Sequence, residues 1–175
     1  MPQIVKYEST EVAVEKTLAG LAKLIRGYGG RRFEQIWDPA GRAVAVRFAV
    51  DHPSLGELPV HMPARTVKIR RILLDGGKWR SYPEGEREEK VAEQAERIAW
   101  RHISDLTEQL LLAVRLDLKT LHEAFMADVE VYDRERGGLV RMADYLERYA
   151  SAGPDGLELE AAEANSRTIP LPAGR

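Results

Sequence analysis

Residues 86–116 read EREEKVAEQAERIAWRHISDLTEQLLLAVRL, a run with neither proline nor glycine. Ala92, Ala95, Ala99, Leu106, Leu110 and Ala113 recur at helical spacing, so one long amphipathic helix is expected. Its first turns, with Glu88, Glu89, Glu93 and Arg97, should face solvent. The stretch LLLAV at 110–114 is apolar all round and should be buried on every side. Trp100 flanks the alanine stripe and is expected to pack against a sheet or a second subunit. At about 1.5 Å per residue the helix spans roughly 45 Å. A compact domain of this size is only about 40 Å across. The helix must therefore bend, or overhang and find a partner, and an overhanging apolar helix favours a homo-oligomer.

The remaining elements are short. STEVAVE at 9–15 alternates Val12 and Val14 with polar neighbours and reads as a strand, with Thr17 as the N-cap of the helix that follows. That helix carries Leu18, Leu21, Ala22, Leu24, Ile25 and Tyr28 and stops at GYGG, 27–30. RRFEQIWD and RAVAVRFAV flank PAG and read as a β-hairpin. Phe33, Gln35 and Trp37 line one side of its first arm. Val44, Val46, Phe48 and Val50 form the core face of the second, and Arg47 faces water. ELPVHM, bounded by prolines, is expected as a third strand near an edge. Residues 65–77 satisfy both periodicities, and a short helix capped near Thr66 and ended by Asp75-Gly76-Gly77 is preferred. GGLVRMADYLERYA places Leu139, Met142, Ala143, Leu146 and Tyr149 on one face of a last helix.

Taken together, the fold class expected is α+β: a small antiparallel-rich sheet packed on helices, with a long C-terminal helix followed by shorter ones. Residues 1–150 form a single domain, and residues 151–175, acidic and then proline-bearing, form a tail expected to be disordered. At 175 residues the chain is long enough to bury one core without staples. The absence of cysteine excludes disulfides, thiolate metal sites and cysteine nucleophiles. No leader and no apolar run long enough for a membrane span is read, so a soluble, cytoplasmic protein is expected.

TLHEAFM at 120–126 begins like the zinc-protease signature H-E-x-x-H but places Met126 at the second histidine. Thr120 and Glu123 instead have capping-box spacing, so the stretch starts a helix, with Phe125 and Met126 turned inward and His122 a bystander. Arg101, His102 and Asp105 share a helix surface, yet no nucleophile is placed beside them. GYGG leads into a strand and DGGK lacks the Walker spacing, so neither is a phosphate loop. Paired buried carboxylates are not evident either. No catalytic residue, metal, cofactor or small-molecule substrate is implied.

Charge is distributed unevenly. Residues 1–82 carry 14 Lys and Arg against 8 Asp and Glu, and residues 83–175 carry 12 against 20. The basic excess concentrates at Arg65, Lys68, Arg70, Arg71, Lys78 and Arg80, with Trp79 between the last two. Cations that neutralise phosphates beside an aromatic plate grip nucleic acid without reading its sequence. Arg31 and Arg32 would extend this patch. The simpler reading is a solvated basic face paired with Glu84, Glu86, Glu88 and Glu89.

Two blocks, VAVEKTLAGLAKLIRGYGGRRF (12–33) and AERIAWRHISDLTEQLLLAVRLDLKTLHEAFM (95–126), resemble small α+β proteins of phages, prophages and related mobile elements. There a V-x-V-x-K-T segment opens a helix ending at Y-G, and a W-R helix runs through a glycine into T-x-x-E-x-F. Asp117 stands near that glycine position here. The resemblance implies an accessory role in a mobile element and brings no catalytic residue with it. A non-enzymatic accessory protein binding DNA or RNA through residues 65–80 is therefore expected. The competing expectation is a protein-interaction or virion-assembly component acting through the long helix.

Overall fold

The computed structural model describes residues 6–151, so the tail expectation lies outside the described residues. The elements run α1 (Val14–Gly27), β1 (Arg31–Trp37), β2 (Ala43–His52), β3 (Gly56–Pro63), α2 (Thr66–Asp75), α3 (Glu84–Arg115), α4 (Leu121–Phe125), β4 (Glu130–Asp133), β5 (Gly138–Arg141) and α5 (Met142–Ser151). Single 3-10 turns at Lys78–Ser81 and Met126–Asp128 precede α3 and β4. The α+β class holds: β1, β2 and β3 form an antiparallel meander in that order, packed on helices.

The expected first strand is absent. Val14 already belongs to α1, whose N-cap is Ala13, and Thr17 lies buried within the helix with its hydroxyl donating to the Ala13 carbonyl. Helix α1 ends in a Schellman turn: Gly29, at φ +93°, donates to Arg26 and Gly30 donates to the Ile25 carbonyl. The same device ends α3. Asp117 takes φ +54° and donates to Val114, while Leu118 donates to Ala113. Asp117 thus fills a left-handed position that a glycine would occupy without strain.

The hairpin forms as expected, but its register shifts twice, between Arg31 and Glu34 and between Ile36 and Trp37, and of the expected first-arm row Gln35 and Trp37 are exposed. Trp37 pairs with Ala43 and Ile36 with Ala45, so Val44 is the extra residue of a bulge and turns outward. The bulge shifts the pleat by one, bringing Ala43 onto the core side with Val46, Phe48 and Val50. Helix α3 holds this point from both sides. Trp100, fully buried, donates its Nε1 proton to the Ala43 carbonyl at 3.2 Å, and the Glu96 carboxylate accepts from the Ala43 N–H at 3.2 Å. Burial pushes the Glu96 carboxyl above its ordinary value, against the pull of that N–H bond.

The main core joins α1 (Leu18, Leu21, Ile25), the sheet (Val46, Phe48, Val50, Val60, Met62), Trp100 and Leu111 of α3, and Phe125 of α4. Phe48 and Phe125 meet edge to face at 5.1 Å. A second cluster packs Leu73 of α2 on Val91, Ala95 and Ile98, so the two ends of α3 serve different cores. The expected stripe is correct for Ala92, Ala95 and Ala99 and drifts after them. Leu106 and Leu112 are exposed, whereas Ser104, Thr107 and Leu111 are buried. LLLAV is therefore not enclosed on every side.

The segment before α5 also departs from expectation. Leu139 sits on β5, which pairs with β4, and is exposed. Leu146 of α5 is exposed as well, and the Tyr149 side chain lies outside the described residues. The β4–β5 hairpin is attached to the edge strand β3 by the bridge between Val60 and Val129. Its attachment is electrostatic too. Arg47 donates to the buried Glu130 at 2.9 Å, and His61 Nδ1 lies 3.5 Å from the same carboxylate oxygen. Arg47, expected to face water, is half-exposed and paired with that carboxylate.

Candidate nucleic-acid interface

Helix α2 forms as expected, although Arg65 occupies the cap position without a side-chain bond and Thr66 is the first helical residue. Leu73, Ile69 and Leu74 turn toward α3, leaving Lys68, Arg71 and Asp75 on the outer side. Gly77 at φ +79° then reverses the chain into the 3-10 turn carrying Lys78, Trp79 and Arg80.

Two hollows border this helix. An open trough of about 1240 Å³ is lined by Lys6, Arg65, Lys68, Arg71 and His102 over Val67, Ile69 and Ile72, with Asp75 its acid. A smaller hollow of about 240 Å³ lies between β3, α3 and β5, walled by Met62, Pro63, Ala99, Ile103 and Leu106 and ending at Asp128 and Arg141. Arg65, Ile69 and His102 border both, so the two adjoin.

Ion pairing sorts the nominated cations. Arg31 pairs with Asp51 at 2.8 Å, and Arg32 with Glu57 at 3.1 Å. Both sit at the Glu57 end of β3, while Arg65 follows its Pro63 end; six residues at about 3.3 Å each separate them by roughly 20 Å. Arg31 and Arg32 therefore do not extend the patch. Arg65 reaches Asp144 at 3.5 Å, an exposed and weak pair. Among the described residues, Lys68, Arg70, Arg71, Lys78 and Arg80 have no carboxylate within ion-pair distance, and Glu84, Glu86, Glu88 and Glu89 do not neutralise them. Arg70 is half-buried and does not line the trough.

Trp79 is not the free plate expected. Its ring packs on the Leu73, Val91, Ala95 and Ile98 cluster, and Nε1 is buried without an acceptor among the described residues. Tyr82 lies 5.9 Å from it, with Lys90 over the Tyr82 ring at 4.3 Å. The indole anchors the turn, and the flanking Lys78 and Arg80 are what remains exposed.

Sequence reading missed Lys6, His102, Asp128 and Arg141 as neighbours of the site. Arg101 and Asp105 do not pair. Asp105 accepts from Lys6 at 2.6 Å and from the Tyr7 hydroxyl, which hold its carboxyl below the usual range, in that order of influence. Arg101 instead lies over the Tyr7 ring at 5.1 Å, and His102 meets the same ring edge-on at 5.5 Å. Arg141 donates to Asp128 at 2.7 Å and in a fork to Asp144 at 2.7 and 2.8 Å. Apart from Arg141 and Asp144, three residues apart, these groupings could not have been read from spacing, because their members come from different elements.

The TLHEAFM stretch is a capping box. The Thr120 N–H donates to Glu123 at 2.7 Å and the Glu123 N–H to the Thr120 hydroxyl at 3.4 Å. Phe125 is fully buried, and Met126 packs against the core. His122 lies 4.4 Å from the His52 ring. Nδ1 of His52 accepts the N–H groups of Ser54 and Leu55, both at 3.1 Å, so its proton resides on Nε2. A metal on that Nε2 would drive the proton onto Nδ1, against two donors. Among the described residues no three His, Asp or Glu side chains converge as metal ligands, and no helix is long and apolar enough to cross a membrane.

Comparison with protein-family models, with curated proteins and with solved structures finds no match to this chain.

Proposed function

We propose that this chain is a non-enzymatic accessory protein that binds DNA or RNA through the outer side of α2 and the turn after it. The observation that carries this reading is the set of five cations without carboxylate partners, two of which, Lys68 and Arg71, line the open trough. Lysine and arginine left unpaired beside a trough are suited to phosphate, whose neutralisation releases counterions. The groups that would otherwise suggest catalysis are engaged in structure: Asp105 with Lys6 and Tyr7, and His102 against the Tyr7 ring. Service to a phage or related mobile element is what the sequence resemblance adds.

The test is binding against salt for the wild type and for Lys68→Glu/Arg71→Glu. Two lost phosphate contacts lower the slope of log affinity against log salt by about 1.4 for a single strand. Absence of binding near about 50 mM salt, or binding indifferent to the substitutions, refutes the reading.

A second reading, protein interaction or virion assembly through a homo-oligomer, is favoured by one observation. Leu112, Leu116 and Leu118 are 51%, 58% and 72% exposed at the C-terminal end of α3. A concentration-independent monomer mass by light scattering would remove it, while a dimer or larger species that dissociates on Leu112→Glu/Leu116→Glu would support it.

A further inference from the structure

We propose that the 240 Å³ hollow receives one unpaired nucleobase, which makes the ligand of the trough a single strand rather than a duplex. This rests on the nucleic-acid reading above and adds the substrate class. The hollow is smaller than the roughly 300–1,000 Å³ of pockets that enclose a whole drug-sized molecule, so its natural occupant is a single ring system attached to something outside. Much of its lining is apolar: Met62, Pro63, Ala99, Ile103 and Leu106. Asp128 and Arg141 also line it; they are paired to each other at 2.7 Å, and the guanidinium forks to Asp144 besides, so the edge of a base meets the hydrogen-bonding positions that this pairing leaves open.

Connection to the trough decides what the ring is attached to. Arg65 and His102 border both spaces, and Lys68 and Arg71 continue along the trough from there. Residues three apart on a helix hold their side chains about 5–6 Å apart, close to the step between neighbouring phosphates of a strand. A base seated in the hollow therefore leaves its backbone to run over α2, where Lys68 and Arg71 line the trough without carboxylate partners among the described residues. A base within a duplex would first have to leave its stack, at a cost of a few kcal/mol. The site thus selects strands whose bases are already free, by burial of a base against aliphatic side chains beside cations suited to phosphate.

Fluorescence anisotropy on the full chain tests this with three labelled probes of about 16 nucleotides, the upper end of single-strand site sizes. One is a single strand, one its duplex, and one the same strand with abasic positions. The single strand is expected to bind about tenfold more tightly than the abasic strand, and more tightly than the duplex. Leu106→Trp, which fills the hollow, should bring the intact strand down to the abasic level. Thermal melting checks its fold, and Leu106→Ala serves if the bulkier variant does not fold. Equal binding of all three probes by wild type, abolished by Lys68→Glu/Arg71→Glu, overturns the base pocket and leaves the trough. Binding of none of them overturns the trough itself.

Discussion

Replacing Trp100 by phenylalanine tests the junction on which the arrangement of sheet and helix depends. The indole is fully buried, and its Nε1 proton goes to the carbonyl of Ala43 at the bulge. Losing that hydrogen bond costs about 1 kcal/mol net. The smaller ring leaves a cavity of roughly 40 Å³, worth about 1 kcal/mol at about 24 cal/mol per Å³. The apolar area no longer buried, roughly 40 Å², contributes about 1 kcal/mol more. The expected loss is about 3 kcal/mol, which for a domain of this size lowers Tm by about 6–12 °C. Urea titration followed by circular dichroism should show a lower midpoint with an unchanged slope. Glu96 holds the N–H of the same residue, so Glu96→Leu and Trp100→Phe should be non-additive by about 0.5 kcal/mol or more. A loss under about 1 kcal/mol, or strict additivity of the pair, would mean that Ala43 is not held by α3 in the way described.

Two further predictions concern capping and pH. Thr120→Ala removes the hydroxyl half of the capping box, leaving the backbone N–H of residue 120 on Glu123, and should cost about 1 kcal/mol, with Thr120→Ser largely restoring it; a wild-type melting curve for the alanine variant would refute the role. His61 has its pKa lowered from 6.5, first by burial and then by Arg47 and Arg141, against the pull of Glu130. The unfolded chain then binds that proton at higher pH than the folded one does, so stability present above about pH 6.5 declines as pH falls below it. Asp144, held down chiefly by Arg141, and Asp105, held down chiefly by Lys6, keep their contribution above the ordinary aspartate range and lose it only at more acid pH. His61→Gln should flatten the pH dependence of Tm just below pH 6.5 and leave the acid limb in place; an unchanged profile would show that His61 is not the group responsible.

How much of the fold the sequence discloses depends on the length over which a pattern runs. Helix α3 was legible because its pattern runs for many turns, and the β1–β2 hairpin because its arms are long. Val12 and Val14 were not, since two alternating residues do not distinguish a period of 2 from one of 3.6. The outward turn of Val44 follows from one inserted residue, which no propensity marks. Beyond Ala99 the buried side of α3 is set by what packs there: Phe125 of α4 and the end of the sheet draw in Thr107 and Leu111, and Leu106 is left at the rim of a hollow. The β4–β5 hairpin was missed although Val129 and Val131 alternate, because its strands are four residues each and its side chains are charged where a strand is expected to be apolar.

The candidate site was legible in a different and smaller degree, and the reason is electrostatic. A count of arginines gives no indication of which are occupied. Arg31, Arg32, Arg47 and Arg141 are all engaged with carboxylates brought near by the fold: Asp51, Glu57, Glu130 and the pair Asp128 and Asp144. Of these ions Arg141 and Glu130 are largely buried and need their partners, because leaving a buried ion alone costs several kcal/mol, whereas the Arg31 and Arg32 pairs are exposed and weak. An arginine surrounded by strands is therefore more often part of the architecture than available to a ligand. Helix α2 differs in that it lies against α3 through Leu73 and presents its other side to solvent. The acids of the first turns of α3 follow in sequence, yet none pairs with its cations. Among the described residues Lys68 and Arg71 thus stand on the open side of α2 without a carboxylate partner and line the trough, which is where a phosphate would find them.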